Sequence, residues 1–427
     1  MIHLRLRHFA TLILSLLVLI TPSVTATTWS EPMFGISLDL PDNAHYVEQT
    51  DDGALIKVVG EGSAAASLHL EQQDQDTILP AITNRALGQI GFGASQPTIL
   101  EESPLRTTIA GHRAHWWTVR VSSEKRGEFY LAQAFIMLTP RRVAVIQSEA
   151  DWPDADRGRE LFDQLVNSFA VRDQQELAQE HRQRLERGRQ WIDAVVPAMN
   201  QTITTPTTSW FLIELQGEAI GYERHVIKPA TELGIEGISV EHRRRVDHKS
   251  TIQDSVIRAF ASADTTVEVW ESRSSIKQID NTAAPYYSKA ITAVRTGETL
   301  VITIEDPDRT AQTQHAIPPI AYLPMAHQLA MTTGWQDLLS DPVAYYSYYL
   351  PVESMTFALA EAHQASNGYQ VMLYPAPRRA AQNLHFDNAG QLLEHTTPDG
   401  RSLRHVQASE IEAAFAGNRR MEGAGAR

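Results

Sequence analysis

Apolar residues recur at every second position through most of this chain, and that period commits it to β-sheet. Phe34, Ile36, Leu38 and Leu40 alternate with Gly35, Ser37 and Asp39, and Pro41 ends the run. Ala64, Ala66, Leu68 and Leu70 repeat the pattern. Further strands are predicted at 54–59, 96–101, 105–110, 113–122, 128–138 and 142–149. Two stretches change period. Ile78, Leu79, Ile82, Leu87 and Ile90 close at Gly91, and Leu161, Phe162, Leu165, Val166 and Phe169 share one face over 154–169. Both predict helices. Strands, a helix, a meander of strands and a closing helix make an α+β domain with an antiparallel sheet over residues 30–171.

The period then breaks. Residues 172–205 are dense in Arg, Glu and Gln, with Leu177, Leu185, Ile192 and Val195 at roughly helical spacing. Pro197 is expected to stop the helix, and 202–208 is a Thr/Pro loop. The stretch reads as a charged helical linker with a solvated face, so residues 27–172 and 205–427 are each expected to fold alone. Alternation resumes over 206–417. Strands are predicted from Trp210 to Leu215, from Ile220 to about Lys228 and from Glu236 to His248, then at 255–261, 266–272, 290–296 and 300–305. Later ones fall at 343–350, 356–363, 369–374 and 383–386, with a last hairpin around 397–400. Helices are predicted at about 320–332 and 409–416. The second domain is a mostly antiparallel β module, a curved sheet or half-barrel with a few helices. Residues 418–427 form a disordered tail.

The opening Phe34-x-Ile36-x-Leu38-x-Leu40-Pro41 resembles the start of Mog1/PsbP-like domains. The strand ending near Gln147, followed by a helix into Asn167-Ser168-Phe169, resembles their end. The resemblance covers about a third of the chain and implies an α/β/α sandwich used for binding or assembly, with no catalytic residue to carry over. Trp210-x-x-Ile213-x-Leu215-x-Gly217-x-x-Ile220-Gly221-Tyr222 resembles the opening of β-rich modules in uncharacterised bacterial envelope proteins. Some of those modules precede transglutaminase-like domains, and no such domain is expected here.

Residues 1–26 have the form of a secretory signal peptide. Arg5 and Arg7 precede an apolar run from Phe9 to Ile20, then Pro22 and the small residues Val24-Thr25-Ala26. The run is about 12 residues, short of the roughly 20 that span a bilayer. Cleavage after Ala26 is expected, leaving a periplasmic or secreted protein that begins at Thr27 and has no membrane span. The chain has no Cys, which excludes disulfides, thiolate nucleophiles and thiolate metal sites. A formal charge of −14 argues against nucleic acid as partner.

Candidate chemistry is sparse. His242-Arg243-Arg244-Arg245-Val246-Asp247-His248 suggests a metal or anion site. On one strand, however, the two histidines stand about 20 Å apart, too far for one ion, with Arg244 between them. A solvated or edge strand protected by charge is the plainer reading, with anion binding by the arginines beside it. His112 and His115 point to opposite faces. His395 and His405 do so too if Thr396 pairs with Arg401. Gly60-Glu61-Gly62, Gly91-Phe92-Gly93, Asp306-Pro307-Asp308 and Asp387-Asn388-Ala389-Gly390 read as turns. No H-E-x-x-H, G-x-S-x-G or phosphate-loop motif occurs.

Tyr345-Tyr346-Ser347-Tyr348-Tyr349-Leu350 is unusual because both faces of its strand are aromatic. Tyr345, Tyr346, Tyr348 and Tyr349, with Tyr322 and Met325 from the neighbouring apolar segment, are candidates to hold an apolar or amphipathic ligand. Covering helices are the alternative. The sequence predicts no catalytic residue, no cofactor and no metal site. It therefore reads as an exported, non-enzymatic binding or assembly protein of the bacterial cell envelope. The expected partner is an envelope protein or an apolar or amphipathic small molecule. A hydrolase with a dispersed acid–base pair and a purely structural scaffold are the rivals.

Overall fold

A computed structural model describes residues 27–415, apart from 43, 49–53, 74, 77, 91–96, 105–106, 233, 249, 279–286, 332–340 and 398–399. The expected signal peptide, the tail and the Gly91-Phe92-Gly93 turn lie outside the described residues. The chain divides into two compact units. The first is built mainly from Ser37–Tyr46 and Val58–Ala170, the second from Glu31–Ile36, Val47–Lys57 and Val171–Arg427.

The N-terminal part contributes β1 (Thr27–Glu31), β2 (Ile36–Leu40), β3 (His45–Glu48), β4 (Ala54–Val59) and β5 (Ala65–Gln72). Helix α1 (Leu79–Ile90) follows. Then come β6 (Thr98–Glu102), β7 (Thr108–Ile109), β8 (His112–Ser123), β9 (Gly127–Thr139), β10 (Arg142–Asp151), α2 (Ala155–Ser168) and β11 (Ala170–Val171). The main sheet runs β3-β4-β5-β10-β9-β8-β6, with β7 paired to β8. Strand parity puts one helix on each face. Trp117, Leu131 and Val145 pack with Leu79 and Ile82 of α1. On the other face Trp116 meets Phe162 of α2 edge-on at 6.3 Å, and the Ser148 hydroxyl donates to the Gly158 carbonyl at 2.8 Å. This is the α+β sandwich expected from the sequence.

The second unit opens with α3 (Gln174–Thr202). The Asp173 carboxylate caps it, accepting from the amides of Gln175 and Glu176. The strands are β12 (Thr207–Leu215), β13 (Glu218–Glu232), β14 (Ile235–His248), β15 (Thr251–Ser262), β16 (Glu268–Gln278), β17 (Tyr287–Thr296), β18 (Thr299–Asp306) and β19 (Arg309–Ala316). After α4 (Met325–Met331) come β20 (Val343–Tyr349), β21 (Ser354–Ala365), β22 (Gly368–Tyr374), β23 (Gln382–Phe386), β24 (Leu392–Thr396), β25 (Arg401–Val406) and α5 (Ala408–Ala414). All fourteen strands form one sheet, ordered β19-β18-β17-β16-β15-β14-β13-β12-β25-β24-β23-β22-β21-β20. Its edges, β19 and β20, are not hydrogen-bonded neighbours. The His315 and Tyr348 rings of these edges meet at 5.6 Å, and Glu353, in the turn after β20, lies 3.2 Å from Arg309 of β19 and pairs with Lys289 of β17.

Four expectations are corrected here. Residues 172–205 are not a solvated linker. Ile192, Val195, Val196 and Met199 of α3 are buried in the same core as Phe211, Val240, Trp270 and Ile302 of the sheet. Nor does Pro197 stop the helix, which continues to Thr202. The carbonyl deprived of its partner belongs to Asp193, and both Asp193 and Pro197 are exposed, so water can satisfy it. Finally, β14 is no edge strand, because it lies between β13 and β15. The helix predicted at 320–332 begins only at Met325, since Pro324 restricts the residue before it to extended backbone.

Candidate functional site

Strand β13 carries Glu223 and His225 two residues apart, so both side chains leave the same face. In the antiparallel register Glu223 faces Arg244 of β14 and His225 faces His242. Directly opposed residues also share a face, so the four form a square on the core side of the sheet. The Oε2 atom of Glu223 lies 3.3 Å from Nε2 of His225 and 3.1 Å from Nε2 of His242. Its Oε1 atom lies 3.4 Å from Nε of Arg244. The two imidazole rings are 4.3 Å apart and tilted by 34°. Glu223 and His225 are buried. Among the described residues this is the one set of three such side chains whose donor atoms lie within 4.8 Å of one another.

Electrostatics set the protonation pattern. Burial alone would raise the Glu223 carboxyl. The charge of His242, hydrogen bonds from both imidazoles and the nearby Arg244 outweigh it and hold the group well below the usual carboxylate range. Burial lowers His225 to about 4, helped by the charge of His242 and opposed by Glu223. The cluster thus presents an ionised carboxylate and a neutral imidazole at neutral pH.

More histidines share this face than the sequence suggested. Thr396 pairs with Ser402 and His395 with Leu403, one residue away from the assumed register. That shift brings His395 and His405 to one side instead of opposite sides. His405 faces Phe211, whose ring meets His405 at 5.4 Å and His225 at 5.3 Å. His112 and His115 stay apart on β8, where His115 pairs with Glu102 at 3.1 Å.

The six candidates to hold an apolar or amphipathic ligand are placed differently from the surface envisaged for them. Tyr322, Met325, Tyr345 and Tyr348 belong to the core, and Tyr346 and Tyr349 are half-buried. Tyr345 packs against Trp191 of α3 at 5.9 Å, and Tyr348 packs on Trp270 at 5.2 Å. Buried Glu268 accepts from the Tyr322 hydroxyl at 2.5 Å and from the Met325 amide at 2.8 Å. The second aromatic face is therefore covered by α3, a helix first assigned to the linker.

Open space lies on the other side of the sheet. One cleft of about 680 Å³ is lined by Arg224, Glu241, Arg258 and Phe260 among others. A second, of about 840 Å³, holds Tyr222, Arg243, Arg245, Arg273 and Lys277. None of those six candidates lines either cleft. The residues lining the second cleft include five cations and three carboxylates, and one of the cations, Lys289, is taken by Glu353. Arg243 stands directly opposite Arg224. Glu241 takes Arg224 at 2.6 Å and Asp247 takes Arg245 at 3.2 Å. Arg243 has no ion-pair partner among the described residues.

No family model matches the chain, and no curated protein matches it. Solved structures to which the chain is similar include two that each cover part of it. One is cyanobacterial PsbP (CyanoP) from Synechocystis sp. PCC 6803, at 15% identity and a TM-score of 0.30, covering 36% of this chain and 99% of that one. The other is a beta-barrel-like protein of a domain of unknown function, DUF1849, from Brucella abortus. It has 10% identity and a TM-score of 0.31, covering 48% of this chain and 97% of that one. The first agrees with the Mog1/PsbP-like resemblance read from the sequence. No helix of the described residues is long and apolar enough to cross a membrane.

Proposed function

We propose that the chain is an exported, non-enzymatic binding or assembly protein of the bacterial cell envelope that takes an anionic partner on the outer face of its fourteen-stranded sheet. The observation that supports this is the second cleft. Arg243 and Arg273 face the same side of β14 and β16, each opposite Val256 of the intervening strand. Two inter-strand spacings set them about 10 Å apart, a span that suits an extended or multivalent anion. A chain with a formal charge of −14 gains nothing in solubility from a local excess of cations, and like charges opposed across strands are destabilising. A bound anion offsets that cost. The apolar ligand expected from the tyrosine strand is set aside, because three of those rings, Tyr322, Tyr345 and Tyr348, fill the core.

The test is recovery of the protein from the periplasm with its N-terminus sequenced and co-purifying molecules identified by mass spectrometry. The proposal expects a chain starting at Thr27 and an anionic species that the double variant Arg243→Glu, Arg273→Glu no longer retains. Intact Met1 on cytosolic protein would overturn export. An associated species unchanged by the double variant would overturn the cleft.

A further inference from the structure

We propose that Glu223, His225 and His242 bind one divalent transition-metal ion, with zinc as the best-fitting member of the class. The inference is independent of the anion cleft, which lies on the opposite face of the same strands.

Spacing is the first argument. A tetrahedral zinc ion holds imidazole nitrogens and carboxylate oxygens at about 2.0–2.2 Å, which sets neighbouring donors about 3.4 Å apart. The observed separations from the Glu223 oxygen, 3.3 and 3.1 Å, already match such an edge. An ion would take the place of the hydrogens between these atoms, the three donors lying within 4.8 Å of one another.

The donor set is the second. Two imidazoles and one carboxylate suit zinc and its first-row neighbours, whereas calcium and magnesium prefer all-oxygen shells. The third argument is support. The donors stand on adjacent strands inside a wide sheet, where both backbones are hydrogen-bonded on both sides. Arg244 occupies the other oxygen of Glu223 and leaves Oε2 for the ion, the orienting role that a hydrogen-bonded neighbour plays around metal ligands. Its pairing with Glu223 offsets part of the repulsion its charge would exert on a cation.

Cost is the fourth. The Nδ1 atoms of His225 and His242 are buried without a hydrogen-bond partner, so packing alone gives no reason to place three ionisable groups here. Access completes the case. The His242 side chain is 15% exposed and that of Arg244 32%, so the site opens to solvent on that side. Three protein donors leave a fourth position for water or a small anion beside the Arg244 guanidinium.

The experiment uses the untagged mature chain, stripped with a chelator and titrated with zinc and with cobalt(II). Expected are one equivalent of zinc retained through gel filtration, a rise in the thermal midpoint on adding zinc, and a visible cobalt band of tetrahedral intensity. His242→Gln, at the most accessible ligand, should weaken zinc binding by at least about 100-fold, while His315→Gln should leave it unchanged. Copper(II) electron paramagnetic resonance of the wild-type chain gives a readout that needs no variant, and coupling to two imidazole nitrogens is expected. No retained metal and no thermal shift would overturn the site. So would binding that survives His242→Gln, or copper coordination without two nitrogens.

Discussion

His327 on α4 is fully buried, with the Asn200 amide nitrogen 3.4 Å from its Nε2. Burial lowers it to about 4, against about 6.5 in an unfolded chain. Between those values the unfolded state binds a proton that the native state does not. The contribution of His327 is therefore fully present above pH 6.5 and is lost as the pH falls toward 4, at up to about 1.4 kcal/mol per pH unit. Glutamine at this position cannot take the proton. Thermal unfolding of wild type and His327→Gln from pH 7 to 4 should show the wild type losing stability more steeply. Parallel curves would mean that His327 is not neutral in the fold.

Among the elements, α3 shows what close approach requires. A Cβ at Gly188 would stand 1.8 Å from the Ala344 carbonyl oxygen of β20. Alanine is favoured over glycine inside a helix by about 1 kcal/mol, yet Gly188→Ala should lose about 3 kcal/mol, because backbone cannot yield as a side chain does. Urea denaturation with an unchanged slope would read that loss, and a stabilised variant would show that the helix is free to move. Alternation of apolar residues predicts nearly every strand, because a half-buried sheet writes its period into the residues. What it could not give was cross-strand register. The Glu223-His225-His242 cluster went unread because its members come from two strands, and only the hairpin through Gly234 brings them together. A signal existed: Glu223-x-His225 and His242-x-Arg244 are mirror images about that turn. The same limit misplaced His395 and His405, where one residue of slip reversed the face. The apolar stripe of α3 was visible, but charge density around it suggested solvent on every side.

For the whole molecule, the placement of α3 revises where the chain can be divided. A fragment of residues 205–427 lacks Ile192, Val195, Val196 and Met199 and leaves the apolar face they cover exposed to water. It should unfold without cooperativity, whereas residues 173–427 retain that helix and should unfold more cooperatively, by calorimetry or by tryptophan fluorescence in denaturant. Equal cooperativity of the two fragments would return α3 to the role of linker. Protease sites within the helix should likewise be slow to cut, contrary to the early cleavage expected of a linker.

The pairing of β12 with β25 also has a consequence in time. Trp210 is bonded to Val406, so one of the first strands of the unit to leave the ribosome waits for one of the last. Closing so long a loop adds little free energy beyond closing a shorter one, but such non-local pairing is slow. Until β25 arrives, β12 offers an open row of amides and carbonyls to any passing strand. The order of synthesis thus leaves a vulnerable interval that ends only when the last hairpin is delivered. A chain interrupted shortly before Arg401 should aggregate even though thirteen of its fourteen strands are already made.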